Sequence, residues 1–202
     1  MVHLLFNHFR PREPIFKEEL KRILNIKNSN TFNQTVSMLV KMGMIKRFIN
    51  GVFFVPDSDP RFKDLGPSLS DFVEKRYLAN DQGIRVGAYL VYAYKLTTQV
   101  PTTHKIITNH VSKNTRTKSM FDGRLIISAP KFELTSETIK YHTFLELIHA
   151  IPFSDFPFEK NLGRLREIMH DLNLDQKKLK FYSQYYQSNR LAYMFDYIER
   201  LV

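Results

Sequence analysis

The chain of 202 residues predicts an α+β protein: an N-terminal winged helix-turn-helix, then an α+β domain with a small, mostly antiparallel sheet and C-terminal helices. Three observations carry that prediction. Two helix-period patterns and an Asn-Gly hairpin signal follow one another between Phe16 and Val55. The stretch Pro56-Asp57-Ser58-Asp59-Pro60 then punctuates the chain as a linker does. After Pro101 the apolar period changes from helix-like to strand-like, and Asp122-Gly123 supplies a second hairpin signal. The expected domains are therefore residues 1–56 and residues 57–202, with closing helices from about residue 158.

Met1 to Phe9 is mostly apolar and fits a short first helix. Pro14 followed by Phe16, Leu20, Ile23 and Leu24 predicts an amphipathic helix, with Lys17, Lys21 and Arg22 on or near its polar side and Asn25 to Asn28 as the turn. From Ser29, the residues Phe32, Val36, Leu39 and Val40 recur at i, i+4, i+7 and i+8, which gathers them on one helical face. The opposite face carries Asn30, Gln34, Ser37 and Lys41. Gly43 stops this helix, and Met44 to Ile49, Asn50-Gly51 and Val52 to Val55 form a hairpin expected to turn through type I′ geometry. Helix, turn, helix and hairpin in that order make a winged helix-turn-helix. Amides, hydroxyls and lysines pair with base edges and phosphates in a major groove. The expected DNA contacts are accordingly Asn30, Thr31, Asn33, Gln34, Ser37 and Lys41, with Lys46, Arg47 and Asn50 of the wing on phosphates or the minor groove. Any surface helix shows a polar outer face, so the wing that follows is what gives the pattern its weight.

Further along, Gly66-Pro67-Ser68 precedes a helix expected from Ser68 to Ala79, capped by Ser68 or Ser70. A second helix is expected over Ile84 to Lys95, where Gly87, Ala88 and Ala93 allow close packing. Strands follow at Lys105 to Asn109, Thr115 to Phe121 and Arg124 to Ser128. Thr135-Ser136-Glu137 opens a helix through Ile148, Pro152 to Pro157 interrupts, and two helices close the chain over Phe158 to Leu172 and Asp175 to Leu201.

Charge agrees with a polyanionic partner. The net charge is +10 with a pI near 9.7. Residues 1–56 hold nine Lys and Arg against three Asp and Glu, a quarter of the length with more than half of the excess. A second concentration lies between Val111 and Lys131, where Lys113, Arg116, Lys118, Arg124 and Lys131 face Asp122 alone. Arg116 and Lys118 alternate along one strand and so share a face. With Arg124 and Lys131 they are candidate contacts to an acidic partner or a DNA backbone, the plain alternative being a solvated strand face.

The absence of cysteine excludes disulfides, thiolate catalysis and cysteine-based zinc sites, and suits a reducing cytosol. Met1 to Phe9 lacks a basic n-region, and the apolar run Gly87 to Tyr94 is too short to span a bilayer, so a soluble cytoplasmic protein without a membrane partner is expected. An enzyme is not. A basic nuclease wants paired acids and a nearby lysine, but Asp57 and Asp175-Gln176-Lys177 are far apart in sequence. His104 and His110 share a strand face, yet no acid or cysteine joins them. No catalytic residue, cofactor or metal is assigned. An RNA-binding alternative comes from Phe181, Tyr182, Tyr185, Tyr186, Tyr193 and Tyr197 among Lys177, Lys178, Lys180 and Arg190, although packing of these rings onto the domain or a partner protein is the preferred reading.

The runs Gly87-Ala88-Tyr89-Leu90, Leu96-Thr97-Thr98-Gln99-Val100-Pro101 and Lys105-Ile106-Ile107-Thr108-Asn109, with a basic hairpin after them, make the chain resemble the AbiEi-type antitoxins of bacterial type IV toxin–antitoxin (abortive infection) systems. The resemblance extends from about Phe16 to Ile151, and more loosely to Arg190-Leu191-Ala192-Tyr193. One departure is that Tyr94-Lys95 stands where those proteins carry Leu-Gly. The resemblance implies a winged-domain repressor of its own operon that also neutralises a nucleotidyltransferase-like toxin, neither role needing catalysis. Residue by residue, Thr97, Thr98, Gln99 and Pro101 read first as a turn that caps a helix and launches a strand, and second as a partner surface. The alternative function is a winged-helix transcription regulator whose second domain binds an effector or dimerises. Since one winged domain reads little sequence, two copies on an inverted repeat of double-stranded operator DNA are expected, as a homodimer or as paired monomers.

Overall fold

The computed structural model describes residue 5 and residues 7–111, 117–151 and 158–186, side chains of 158–162 excepted. The chain is α+β and divides into two compact units, Met1–Arg76 and Tyr77–Val202.

In the first unit, strand β1 (Ile15–Phe16) leads into helices α1 (Lys17–Ile23) and α2 (Ser29–Lys41), followed by the hairpin β2 (Lys46–Ile49) and β3 (Val52–Phe54). The sheet order is β1-β3-β2, all antiparallel. Leu5 and Phe9 from the N-terminal segment join Leu20 of α1, Phe32, Val36 and Leu39 of α2, and Phe53 of β3 in one core. Phe16 is not a helical residue as its spacing suggested. Its backbone pairs with Val52, and its N–H donates to Glu19 Oε2 at 3.3 Å, so sheet pairing claims it before the helix begins. Val40 is also displaced from the expected face. It is 36% exposed because it sits about 80° around the helix from Phe32, at the margin of the apolar stripe.

The Asn-Gly hairpin forms, but not through a type I′ turn. Only Gly51 is left-handed (φ 76°), and the register shifts between Arg47 and Ile49, so a bulge absorbs the twist. The expected boundary at 56/57 likewise moves. Helix α3 (Leu69–Val73) buries Phe72, whose ring lies 6.0 Å from those of Phe16 and Phe48. Just beyond, Lys75 Nζ reaches Glu13 Oε1 at 2.7 Å and Glu19 Oε1 at 2.9 Å. Residues 57–76 are thus folded onto the first unit rather than serving as a linker.

In the second unit, strands β4 (Gly83–Val86), β5 (His104–Thr108), β6 (Lys118–Met120) and β7 (Leu125–Ser128) form a sheet of order β4-β5-β7-β6. Every pairing is antiparallel except β5 with β7. Helix α4 (Ala88–Ala93) follows β4, and α5 (Ile139–Ala150) packs on both. Helices α6 (Phe158–Asp171) and α7 (Gln176–Ser183) and the 3-10 turn Gln184–Tyr186 follow. The core gathers Ile84, Val86, Ile107, Phe144, Leu145 and Ile148.

Two expected helices are changed. Ile84 to Val86 is a strand because Gly87 (φ 70°) breaks any continuous helix and the β-branched residues pair with β5. The helix from Ser68, whose hydroxyl does accept the Asp71 N–H at 3.0 Å, gives way after Val73 to a π-helical turn Glu74–Leu78, and Asn80 (φ 58°) and Asp81 (φ 57°) end the run. The second hairpin joins Met120 to Leu125 through a loop in which Phe121, Asp122 and Gly123 are all left-handed. Among the described residues no helix is long and apolar enough to cross a membrane. Lys113, Arg116, Arg190, Tyr193 and Tyr197 lie outside the described residues.

Candidate nucleic-acid interface

Helix α2 is held firmly at both ends. Asn28 caps it, its Oδ1 accepting from the Asn30 N–H at 2.8 Å and the Thr31 N–H at 3.1 Å. At the other end the N–H of Gly43 donates to Val40 O and that of Met44 to Leu39 O, each at 3.0 Å, with Gly43 left-handed at φ 70°. This is a Schellman motif, and it needs a residue that tolerates positive φ. Between the caps, Phe32, Val36 and Leu39 are buried and fix the helix's rotation. Asn30, Thr31, Asn33, Gln34, Ser37 and Lys41 consequently all reach solvent. Asn33, Gln34, Ser37 and Lys41 border one shallow depression with Met38 and Met42. The two methionines, 47% and 58% exposed, were not among the expected contacts. Their signal was available, since neither position falls on the apolar stripe.

The β2–β3 hairpin is less open. Arg47 and Asn50 are exposed, and the Arg47 guanidinium lies 5.9 Å from the centre of the Phe53 ring. Lys46, expected on phosphate, instead pairs with Asp64 and donates to Lys63 O at 3.0 Å. A hydrogen bond from Lys46 holds the Asp64 carboxyl below its ordinary value. The segment after the wing therefore brings an acid to the face where cations were expected. Sequence spacing alone did not show it.

Arg116 lies outside the described residues, Lys118 is exposed on the edge strand β6, and Arg124 donates from Nε to Phe121 O at 3.3 Å. Lys131 acts on Glu146. Arg85 Nη1 stands 3.0 Å from His104 Nδ1, and His110 is exposed beyond the strand end. Burial, reinforced by Arg85, lowers the His104 pKa. Asp57 and Asp175 accept local backbone N–H groups, from Asp59 and Lys178. Among the described residues no three His, Asp or Glu gather as a metal-binding group. Of the C-terminal aromatics, Tyr182 stacks 4.4 Å from Phe132 and Tyr186 is buried, whereas Phe181 and Tyr185 are exposed.

A cavity of about 770 Å³ opens in the second unit between β4, α4, β5 and α5. Gly87, Leu96, Thr97, Gln99, Val100 and Pro101 lie along it, as do Lys105, Glu146 and His149. The run Leu96 to Pro101 is also a local turn: the Leu96 N–H donates to Val91 O at 2.9 Å, and Thr97 Oγ1 accepts the Gln99 N–H at 3.2 Å.

Behind Glu146 runs a buried polar chain. His142 is fully buried and stacks on Phe132 at 3.6 Å. Its Nε2 lies 2.8 Å from Phe132 O, its Nδ1 lies 2.9 Å from Tyr186 Oη, and Tyr186 is hydrogen-bonded to Glu146. A carbonyl only accepts, so Nε2 carries a proton. Burial lowers the His142 pKa to about 4, so the ring is neutral and Nδ1 accepts the Tyr186 O–H. The same hydroxyl is hydrogen-bonded to Glu146, which joins the chain to the cavity wall. Burial raises the Glu146 pKa, outweighing the opposing effects of Tyr186, His149, Lys131 and Lys105.

No protein-family model matches the chain, and no curated protein matches it.

Proposed function

We propose that the first unit is a winged helix-turn-helix that binds double-stranded operator DNA, and that the whole chain is an autorepressor and antitoxin opposing a nucleotidyltransferase-like toxin. The DNA-binding half is carried by one observation: a helix capped at both ends presents Asn30, Asn33, Gln34, Ser37 and Lys41 to solvent. Thirteen residues make a rod about 20 Å long, which a major groove about 12 Å wide accommodates. Asn and Gln amides match adenine's major-groove edge, and Lys41 meets phosphate or guanine. The antitoxin half rests on the run Leu96 to Pro101 and its neighbours.

Both halves are testable with the full-length chain. Selection from a random duplex pool should recover an inverted repeat, and Gln34→Ala should weaken binding to that site while leaving random DNA unaffected. Equal losses on both would remove Gln34 from base recognition. Co-expression with the adjacent gene should restore growth if that gene encodes the toxin; no rescue would leave only the DNA-binding half.

A further inference from the structure

We propose that the cavity in the second unit is a binding site for a small organic anion, whose apolar body lies on Val86, Val91 and Leu96 and whose charged group meets Lys105. The volume, about 770 Å³, falls within the range of roughly 300–1,000 Å³ typical of sites for small molecules. A duplex about 20 Å wide and a folded protein surface are both too large to enter. The lining divides chemically, with aliphatic side chains from β4, α4 and the following turn, and hydroxyl, amide, ammonium and imidazole groups from Thr97, Gln99, Thr103, Lys105 and His149.

The backbone makes room for the lysine. A Cβ at Gly87 would stand 3.0 Å from Lys105 Cδ, and Gly87 is left-handed at φ 70°, so glycine lets the Lys105 stem lie against this turn. Charge selects the ligand's sign. Among the described residues the one carboxyl on the wall, Glu146, is engaged by Tyr186, whose hydroxyl also bonds to His142. A lysine ammonium above an apolar floor favours a molecule with a hydrocarbon or ring body and one negative group. The inference is independent of DNA binding by the first unit.

The probe is 8-anilinonaphthalene-1-sulfonate, titrated into the full-length protein and followed by fluorescence. The expected result is one saturable site. Lys105→Glu should weaken it at least about tenfold, Lys105→Arg should retain it, and Lys118→Glu on the edge strand should leave it unchanged. The uncharged analogue N-phenyl-1-naphthylamine should bind at least about tenfold more weakly to the unaltered protein, a comparison that does not depend on any variant folding. Equal binding of the two dyes, absence of a saturable site, or an equal loss on Lys118→Glu would each overturn the proposal.

Discussion

The two units display their polar chemistry in opposite ways. In the first, amides, a hydroxyl and a lysine stand outward on a convex helix, and burial is left to Phe32, Val36 and Leu39 behind them. In the second, polar groups turn into a concavity or into the core, where His142, Tyr186 and Glu146 satisfy one another. The difference is one of partner size. A convex rod with solvated donors and acceptors suits a long polymer groove, whereas a cavity backed by buried hydrogen bonds suits a molecule that is surrounded.

The comparison breaks most sharply if the units do not fold around separate cores. Phe32→Ala and Phe144→Ala each delete a ring buried to 1% exposure or less and should each cost about 3–5 kcal/mol. Calorimetry should show each variant lowering a different transition; a common shift in both would contradict the separation.

Acid should also distinguish the units. His142 titrates near 4 in the folded protein against an ordinary 6.5, so between those values the unfolded chain binds the extra proton. Its stabilising contribution is therefore complete above about pH 6.5 and is lost as pH falls towards 4, by roughly 3 kcal/mol. Glu146 has the opposite sign: its pKa is raised by burial, so its contribution is lost as pH rises through the folded value. The C-terminal transition should fall on acidification, and His142→Phe should flatten that limb. An equal acid response in both transitions would show that His142 is not its source, since the described N-terminal core has no buried histidine.

On DNA, Gln34→Ala should cost about 1–3 kcal/mol on the selected site alone. The Lys46–Asp64 pair sharpens this expectation. Asp64→Asn should release Lys46, strengthen binding to all duplexes alike and steepen the salt dependence by about one unit of slope. No change in that slope would mean Lys46 does not reach phosphate.

The smallest effect concerns two helix ends. Both α2 and α4 close with a left-handed residue and the same pair of backbone hydrogen bonds, but the first uses Gly43 (φ 70°) and the second Lys95 (φ 60°). Lys95→Gly should stabilise the C-terminal unit by about 1 kcal/mol, and Gly43→Ala should destabilise the N-terminal one by a similar amount. The backbone demand at this position is thus met by a strained residue. A neutral Lys95→Gly result would place that strain elsewhere.

Elements set by neighbours in sequence were legible: the α2 stripe with its Gly43 stop, the outward polar face, and both hairpins. Elements set by distant partners were not. Ile84 to Val86 has residues suited to helix or strand, and only pairing with β5 decides for strand. Pro56 to Pro60 carries linker composition, yet Phe72 and Lys75 further along find partners in the first unit.

Local periodicity and turn chemistry thus determined that this protein is α+β and which side chains α2 turns to solvent, because a helix period and a left-handed glycine act within a few residues. Tertiary structure alone decided that Lys46 is answered by Asp64, that the Leu96 to Pro101 turn borders a cavity, and that Glu146 joins Tyr186 and His142. Those partners lie far apart in the sequence, and hydrogen bonds and charge pairs depend on distances that exist only once the chain has folded.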